Sequence, residues 1–200
     1  MAKPTTDQLG TNYERFVHPA IEEIEGRSVE RYYDAHRQIN VSDNDALKEI
    51  KYDGGVKSKW NLYGSSNVYI ESKERRVHNT GPMVDSGIMK PCKSTTYFIG
   101  NGEFAYDFDK ERLKEIIKEN RLHNDTTYRE FPYVDAKTNG VITSKGYLIP
   151  TWVADKICIR KVYFRDSVMG EDGLLQGTAK IDRIIETPVE QERAVLSIWK

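Results

Sequence analysis

The chain has 200 residues, 38% hydrophobic and 30% charged, which is enough to bury one core, so a single domain over residues 1–200 is expected. Its formal net charge is −1 and its pI is near 6.5, which excludes a globally basic nucleic-acid binder and leaves a local basic patch as the alternative. Cys92 and Cys158 match no metal-ligand spacing and no disulfide scaffold, and no apolar run reaches the length of a membrane span. With a polar N-terminus unlike a signal peptide, the sequence predicts a soluble, cytoplasmic protein that does not enter a membrane.

In chain order, the first strong pattern predicts a helix that begins at Asn12. Apolar residues recur at helical spacing and Gly26 supplies the stop, while the polar residues 1–10 are expected to be disordered. Glu14 lies beside the apolar stripe of this helix.

Short strands and turns follow. Residues 46–52 lead into the turn Asp53-Gly54-Gly55, and the period-2 pattern of 56–63 predicts a strand that pairs, through Gly64, with a strand beginning at Asn67. Further patterns predict a hairpin at 95–108, a helix at 109–117 capped by Asp107 or Asp109, and a hairpin turn at 139–140. Three later strands are predicted at 157–164, 179–185 and 194–199. We expect an α/β (α+β) fold with a central mixed β-sheet flanked by helices.

The stretch Glu71-Ser72-Lys73 stands out because it ends the apolar strand Val68-Tyr69-Ile70. Side chains alternate along a strand, so Glu71 and Lys73 are expected on the same face, where a carboxylate and an ammonium can hold a divalent cation and steady a water. The bare pattern Asp/Glu-x-Lys should arise about three times by chance in such a chain. It also occurs at Glu49-Ile50-Lys51 and Asp135-Ala136-Lys137, so a solvated charge pair on an edge strand is the alternative interpretation.

Phosphodiester hydrolysis needs a positioned water and neutralisation of the charge that grows on the phosphate, and Mg²⁺ held by carboxylates supplies both. Glu71 therefore needs partners. Asp53 lies at the turn that feeds the neighbouring strand, Asp45 is an alternative further upstream, and Glu14 could complete the group from the helix. Lys73 would orient the water or stabilise the phosphate.

An N-terminal helix with a Glu, then an Asp, then a strand that ends in Glu-x-Lys resembles the PD-(D/E)xK nuclease superfamily, which includes restriction endonucleases, over about residues 12–120. The resemblance implies a restriction-endonuclease-like fold and a Mg²⁺-dependent DNA endonuclease, with Mn²⁺ as a substitute, acting as a homodimer. It implies that Asp53 or Asp45 is the first metal-binding acid, Glu71 the second, Lys73 the catalytic lysine and Glu14 the helix acid. Many members have Gly-hydrophobic-Asp at the first acid, whereas Gly55-Val56 is followed here by Lys57.

Basic residues cluster in sequence around this strand and the loop after it, and they are expected either to form a DNA-backbone patch or to be a solvated face. The candidate nucleic-acid-binding residues are Arg75, Arg76, His78, Lys90 and Lys93.

Two other classes of function stay open. Lys57 and the neutral net charge favour a catalytically silent nucleic-acid-binding or structural protein on the same scaffold. The third hypothesis is an interaction protein of unrelated α+β fold, in which Glu71 and Lys73 are an ordinary charge pair.

Overall fold

The structure is a computed structural model that describes residues 3–29, 47–75, 81–92, 94–122, 131–138 and 140–188. The predicted strand at 194–199 lies outside these ranges, as do Asp45, Arg76, His78 and Lys93. Within the described ranges, none of the helices is both long enough and apolar enough to cross a membrane.

Helix α1 spans Thr6–Glu25, so it begins before the start at Asn12 that the apolar spacing predicts. Thr5 caps it by a reciprocal pair of hydrogen bonds with Gln8, and Gly26 ends it in the left-handed conformation, with φ of 64°. The buried stripe is the predicted one, and it consists of Tyr13, Phe16, Val17, Ala20 and Ile21.

Within the described ranges, the remaining elements are short strands interrupted by two more helices. The strands are β1 (Leu47–Tyr52), β2 (Asn67–Arg75), β3 (Met83–Asp85), β4 (Ser94–Gly100), β5 (Phe104–Asp109), β6 (Tyr133–Thr138), β7 (Val141–Pro150), β8 (Arg160–Arg165), β9 (Val168–Met169), β10 (Leu175–Gln176) and β11 (Lys180–Glu186). The helices are α2 (Lys110–Leu122) and α3 (Thr151–Ile157), and a single 3-10 turn spans Gly87–Met89.

The strands form two main sheets. The five-stranded sheet has the order β1-β4-β5-β8-β11, in which β1 and β4 are parallel and the other pairs are antiparallel. The four-stranded sheet has the order β3-β2-β7-β6 and is antiparallel throughout. The predicted class, α+β with a mixed sheet flanked by helices, is confirmed at this level.

The five-stranded sheet is covered on both faces. Phe98 and Ala105 pack with α1, whereas their neighbours Tyr97 and Tyr106 belong to the core that the sheet shares with α2, α3 and the four-stranded sheet. Because side chains alternate along a strand, the two cores lie on opposite faces of this sheet. In β1, Ile50 packs on the α1 side, so Glu49 and Lys51 face the other core.

Several local predictions are confirmed. β4 and β5 form a hairpin, β6 and β7 form another, and Asp109 caps α2 by accepting a hydrogen bond from the backbone N–H of Arg112 at 2.8 Å.

The predicted strand at 56–63 is wrong, because these residues form tight turns. Ser58 and Asn61 exchange backbone hydrogen bonds at 3.1 Å, and the N–H of Gly64 also donates to the Asn61 carbonyl. The strand β2 pairs instead with β3 and β7. The alternation of apolar and polar residues over 56–63 is too short to predict whether their backbone groups bond to another strand or, as here, within the loop itself.

Candidate functional site

Asp53 follows β1 and joins the two sheets. One of its oxygens accepts hydrogen bonds from the backbone N–H groups of Gly55 and Val56, at 3.0 and 3.2 Å, and the other accepts one from Tyr69 at 2.8 Å. Burial raises the pKa of this carboxyl, and the three backbone donors oppose that rise. Asp53 thus holds the turn after β1 against the start of β2, and its role as a metal ligand stays a prediction.

The motif Glu71-Ser72-Lys73 lies in β2 at an irregularity of the ladder. Glu71 is opposite Gly146 and Lys73 is opposite Lys145, so Ser72 is the extra residue, as in a β-bulge. The Ser72 hydroxyl is buried and donates to the Lys145 carbonyl at 3.1 Å.

Glu71 and Lys73 have different surroundings on either side of this bulge. The side chain of Glu71 is 21% exposed, and its Oε1 accepts a hydrogen bond from the Ser86 hydroxyl at 2.7 Å. Lys73 is 47% exposed, and its Nζ lies 3.9 Å from Asp85 Oδ1 in the neighbouring strand β3. Lys73 can therefore change partners more readily than Glu71 can.

The segment around the 3-10 turn is pressed against β2. The Ser86 N–H donates to the Ser72 carbonyl at 3.0 Å, and Gly87 has φ of 49°, with no room for a side chain beside the Glu71 carbonyl. This close approach puts the Ser86 hydroxyl on the Glu71 carboxylate.

The structure brings a second Glu-x-Lys motif, Glu49-Ile50-Lys51 of β1, to the same place. Lys51 Nζ lies 3.6 Å from Glu71 Oε1 and 3.9 Å from Glu49 Oε1, so one ammonium is shared by carboxylates from the two sheets. Burial alone would lower the pKa of Lys51, but nearby carboxylates, above all Glu71 and Glu49, outweigh it and raise the pKa. Lys51 therefore stays charged at neutral pH.

Glu49 is held from the other side by Lys110, the first residue of α2. The Lys110 ammonium is fully buried and donates to Glu49 Oε2 at 2.6 Å and to the Ser94 hydroxyl at 2.9 Å. It also lies 3.0 Å from Cys92 Sγ. We call this group of side chains the inter-sheet cluster; it comprises Glu49, Lys51, Glu71, Ser86, Cys92, Ser94 and Lys110.

The remaining predicted residues within the described ranges lie elsewhere. Glu14 is on α1, which covers the opposite face of the five-stranded sheet from Glu49 and Lys51. Arg75 donates to the Ile142 and Gly81 carbonyls at 2.7 and 2.9 Å, so its guanidinium secures the end of β2. Lys90 follows the 3-10 turn and is half-buried.

A second group of charges, the helix-side cluster, lies on the α1 side of the five-stranded sheet; it comprises Glu25, Lys48, Thr96, Asp107 and Arg160. Lys48 Nζ donates to Asp107 Oδ2 at 2.8 Å and lies 3.1 Å from Glu25. Burial raises the pKa of Asp107, although Lys48 and Arg160 oppose the rise.

The inter-sheet cluster meets the requirements of a divalent cation only in part. Within the described ranges, there is no group of three or more His, Cys, Asp or Glu side chains that could hold a metal ion. Mg²⁺ in phosphoryl-transfer enzymes, however, often takes one or two carboxylates and completes its shell with water and phosphate. Glu49 and Glu71 supply that type and number of ligand.

Glu49, Lys51 and Lys110 belong to the site and were not identified from the sequence. The signal available was the repeated Glu-x-Lys pattern, which occurs at the rate that chance predicts. What singles out Glu49-Ile50-Lys51 is its place on an edge strand beside β2, and no local pattern shows that.

Comparisons with protein-family models, with curated proteins and with solved structures gave no match to this chain.

Proposed function

We propose that this chain is a Mg²⁺-dependent DNA endonuclease, with Mn²⁺ as a substitute, whose site is the inter-sheet cluster together with Lys73. The observation that carries the proposal is the sharing of the Lys51 ammonium by Glu49 and Glu71, which come from different sheets. Carboxylates are the ligands that Mg²⁺ prefers, and the side chains of Glu49 and Glu71 are 10% and 21% exposed.

Each side chain has a defined task in this proposal. Glu71 and Glu49 would hold the cation, which when bound supplies charge neutralisation and an activated water. Ser86 and Lys110 fix the orientations of the two carboxylates. Lys73, exposed on the same strand as Glu71, would contact the phosphate. Asp53, and Asp45 as its alternative, stay predicted ligands, and Glu14 stays the predicted helix acid.

The experiment is cleavage of plasmid and of branched DNA with Mg²⁺, with Mn²⁺ and with a chelator. We expect metal-dependent cleavage that falls about a hundredfold or more in Glu71→Gln and in Lys73→Ala. Glu115→Gln and Lys180→Ala, exposed positions on α2 and β11, are the matched controls and should cleave like the wild type. Full activity in Glu71→Gln would refute the proposal.

A second candidate is a catalytically silent DNA-binding or structural protein. It is favoured by Asp53, whose oxygens are already bonded to three backbone N–H groups, and by Glu49, which is paired with a buried lysine. Salt-sensitive DNA binding without cleavage under any metal condition would support this candidate. If the chain neither cleaves nor binds DNA, that result would support an interaction protein instead.

We propose that the chain forms a homodimer, because each of the two chains could then cleave one strand of a duplex. Sedimentation of the chain alone and with duplex DNA tests this part of the proposal.

A further inference from the structure

Exposed aromatic and apolar side chains lie outside the inter-sheet cluster, on the loop before β2 and at the start of α3. Tyr63 is 101% exposed, Leu62 65% and Trp152 53%. Large apolar side chains exposed together are unusual on a folded surface and commonly mark an interaction site.

The loop that carries Leu62 and Tyr63 is held by its own hydrogen bonds. The N–H of Lys57 donates to the Ser65 carbonyl at 2.9 Å, and the N–H of Ser65 donates to the Gly55 carbonyl at 2.9 Å. The Asn61 side-chain amide donates to the Gly54 carbonyl, also at 2.9 Å. The exposure of Tyr63 is therefore a property of an ordered loop.

Trp152 belongs to the same region. The N–H of Thr151, the residue before it, donates to the Ser66 carbonyl at 2.8 Å, which ties the start of α3 to the end of the loop. The ammonium of Lys156 lies 5.2 Å from the centroid of the Trp152 ring, so a cation accompanies this aromatic side chain. Lys57 is exposed on the loop and adds a second cation.

The acids that contact these segments are already engaged. Glu103 accepts a hydrogen bond from the N–H of Lys59 at 2.7 Å. Asp155 accepts from Lys161 at 2.7 Å and from the Tyr106 hydroxyl at 2.9 Å. Asp155 is therefore charge-paired with Lys161, and the cations that accompany the exposed rings are Lys57 on the loop and Lys156 beside Trp152.

We propose that this aromatic surface, defined as Lys57, Leu62, Tyr63, Trp152 and Lys156, binds an unpaired strand of DNA. Bases would stack on Tyr63 and Trp152 while the lysines contact phosphates, which is how sequence-tolerant single-strand sites are built. This inference rests on the proposed function, which identifies the ligand as DNA. The loop leads directly into β2, along which Glu71 lies roughly 13 Å beyond Asn67, so a strand held here can extend to the inter-sheet cluster.

The test is binding of a labelled oligothymidylate, followed by fluorescence anisotropy in chelator so that no cleavage occurs. A hairpin duplex of equal length is the competitor. We expect the single strand to bind more tightly than the duplex, and Trp152→Ala and Tyr63→Ala to weaken binding roughly tenfold or more. Trp152→Phe should restore most of the affinity. Ile185→Ala, which truncates an exposed side chain on β11, should bind like the wild type.

The lysines have a separate readout. Each phosphate contact on a single strand contributes about 0.7 to the slope of log affinity against log salt. We expect Lys57→Ala to reduce that slope by about this amount, and the control Lys180→Ala to leave it unchanged.

Failure of this inference is distinguishable from failure of the proposed function. Oligonucleotide binding is measured in chelator and cleavage with metal, so binding that depends on Trp152 without any DNA cleavage would refute the endonuclease and retain the single-strand site. Three results would overturn the inference, whether or not plasmid is cleaved. They are unchanged binding in Trp152→Ala and Tyr63→Ala, tighter binding of the duplex than of the single strand, and self-association through Trp152 without oligonucleotide binding.

Discussion

Lys48 and Glu49 are neighbours in β1, yet they enter two charge clusters on opposite faces of the same sheet. In the helix-side cluster the central pair is enclosed, with the side chains of Lys48 and Asp107 5% and 0% exposed. In the inter-sheet cluster Lys110 is equally enclosed, but Lys51 is 33% and Glu71 21% exposed. The central pair of the helix-side cluster is therefore sealed, although Glu25 and Arg160 at its edge are about as exposed as Glu71.

The difference separates a structural role from a binding role. A buried ion pair cannot exchange its partner for a ligand without exposing an unpaired charge, so the helix-side cluster can only hold α1, β1, β5 and β8 together. Half-exposed charges lose less when they change partners. Lys51 and Glu71 can therefore open to admit a cation or a phosphate, whereas Lys48 and Asp107 cannot.

The largest expected effect is that of Lys48→Met, which leaves the Asp107 carboxylate buried without its closest cation. We expect the free energy of unfolding to fall by about 3–5 kcal/mol, measured by urea denaturation at neutral pH. DNA cleavage at a temperature where the variant is folded should be retained. If Lys48→Met lowers the unfolding free energy no more than Lys51→Met does, the ion pairs of the two clusters do not differ in their contribution to stability.

An intermediate effect is expected from pH. Because the pKa of Asp107 is raised above its ordinary value of 3.8, the folded state binds this proton more readily than the unfolded chain does. Its contribution to stability is therefore greatest at low pH and is lost as pH rises from 3.8 through the raised pKa. Each unit of rise corresponds to about 1.4 kcal/mol.

The measurement is urea denaturation of the wild type and of Asp107→Asn over the acidic range. Asp107→Asn should flatten the dependence of the unfolding free energy on pH, leaving the slope that Asp53 contributes in the same direction. Asp182→Asn, exposed on β11, is the control and should keep the wild-type slope. An unchanged slope in Asp107→Asn would contradict the prediction.

The smallest effect on stability is expected from Lys51→Met, because Lys51 is a third exposed. The unfolding free energy should change by about 1 kcal/mol or less. The same substitution removes the ammonium between Glu49 and Glu71, so Mn²⁺ should bind more tightly, as measured by titration calorimetry. Weaker Mn²⁺ binding, or none in either protein, would count against a cation site at the inter-sheet cluster.

Much of the fold follows from local chemistry. The stripe from Tyr13 to Ile21 predicts α1, and the alternation and turns around β4 and β5 predict their hairpin, because hydrogen bonds between near neighbours satisfy these elements. Asp109 as the cap of α2 follows for the same reason. The α+β class likewise follows from sequence patterns, whereas the roles of Glu71 and Lys73, which such a pattern also indicates, stay predictions.

The site itself depends on long-range contacts that no local pattern contains. Pairing of β1 with β4 and of β2 with β7 decides that Lys51 meets Glu71, and the arrival of α2 decides that Lys110 meets Glu49. Asp53 is predicted as a metal ligand because it lies at the turn that feeds the neighbouring strand, and only the fold shows that its carboxylate also accepts hydrogen bonds from three backbone N–H groups. Residue chemistry determined which groups could form a site, and only the packing of two sheets decided which of them meet, because their partners lie far away along the chain.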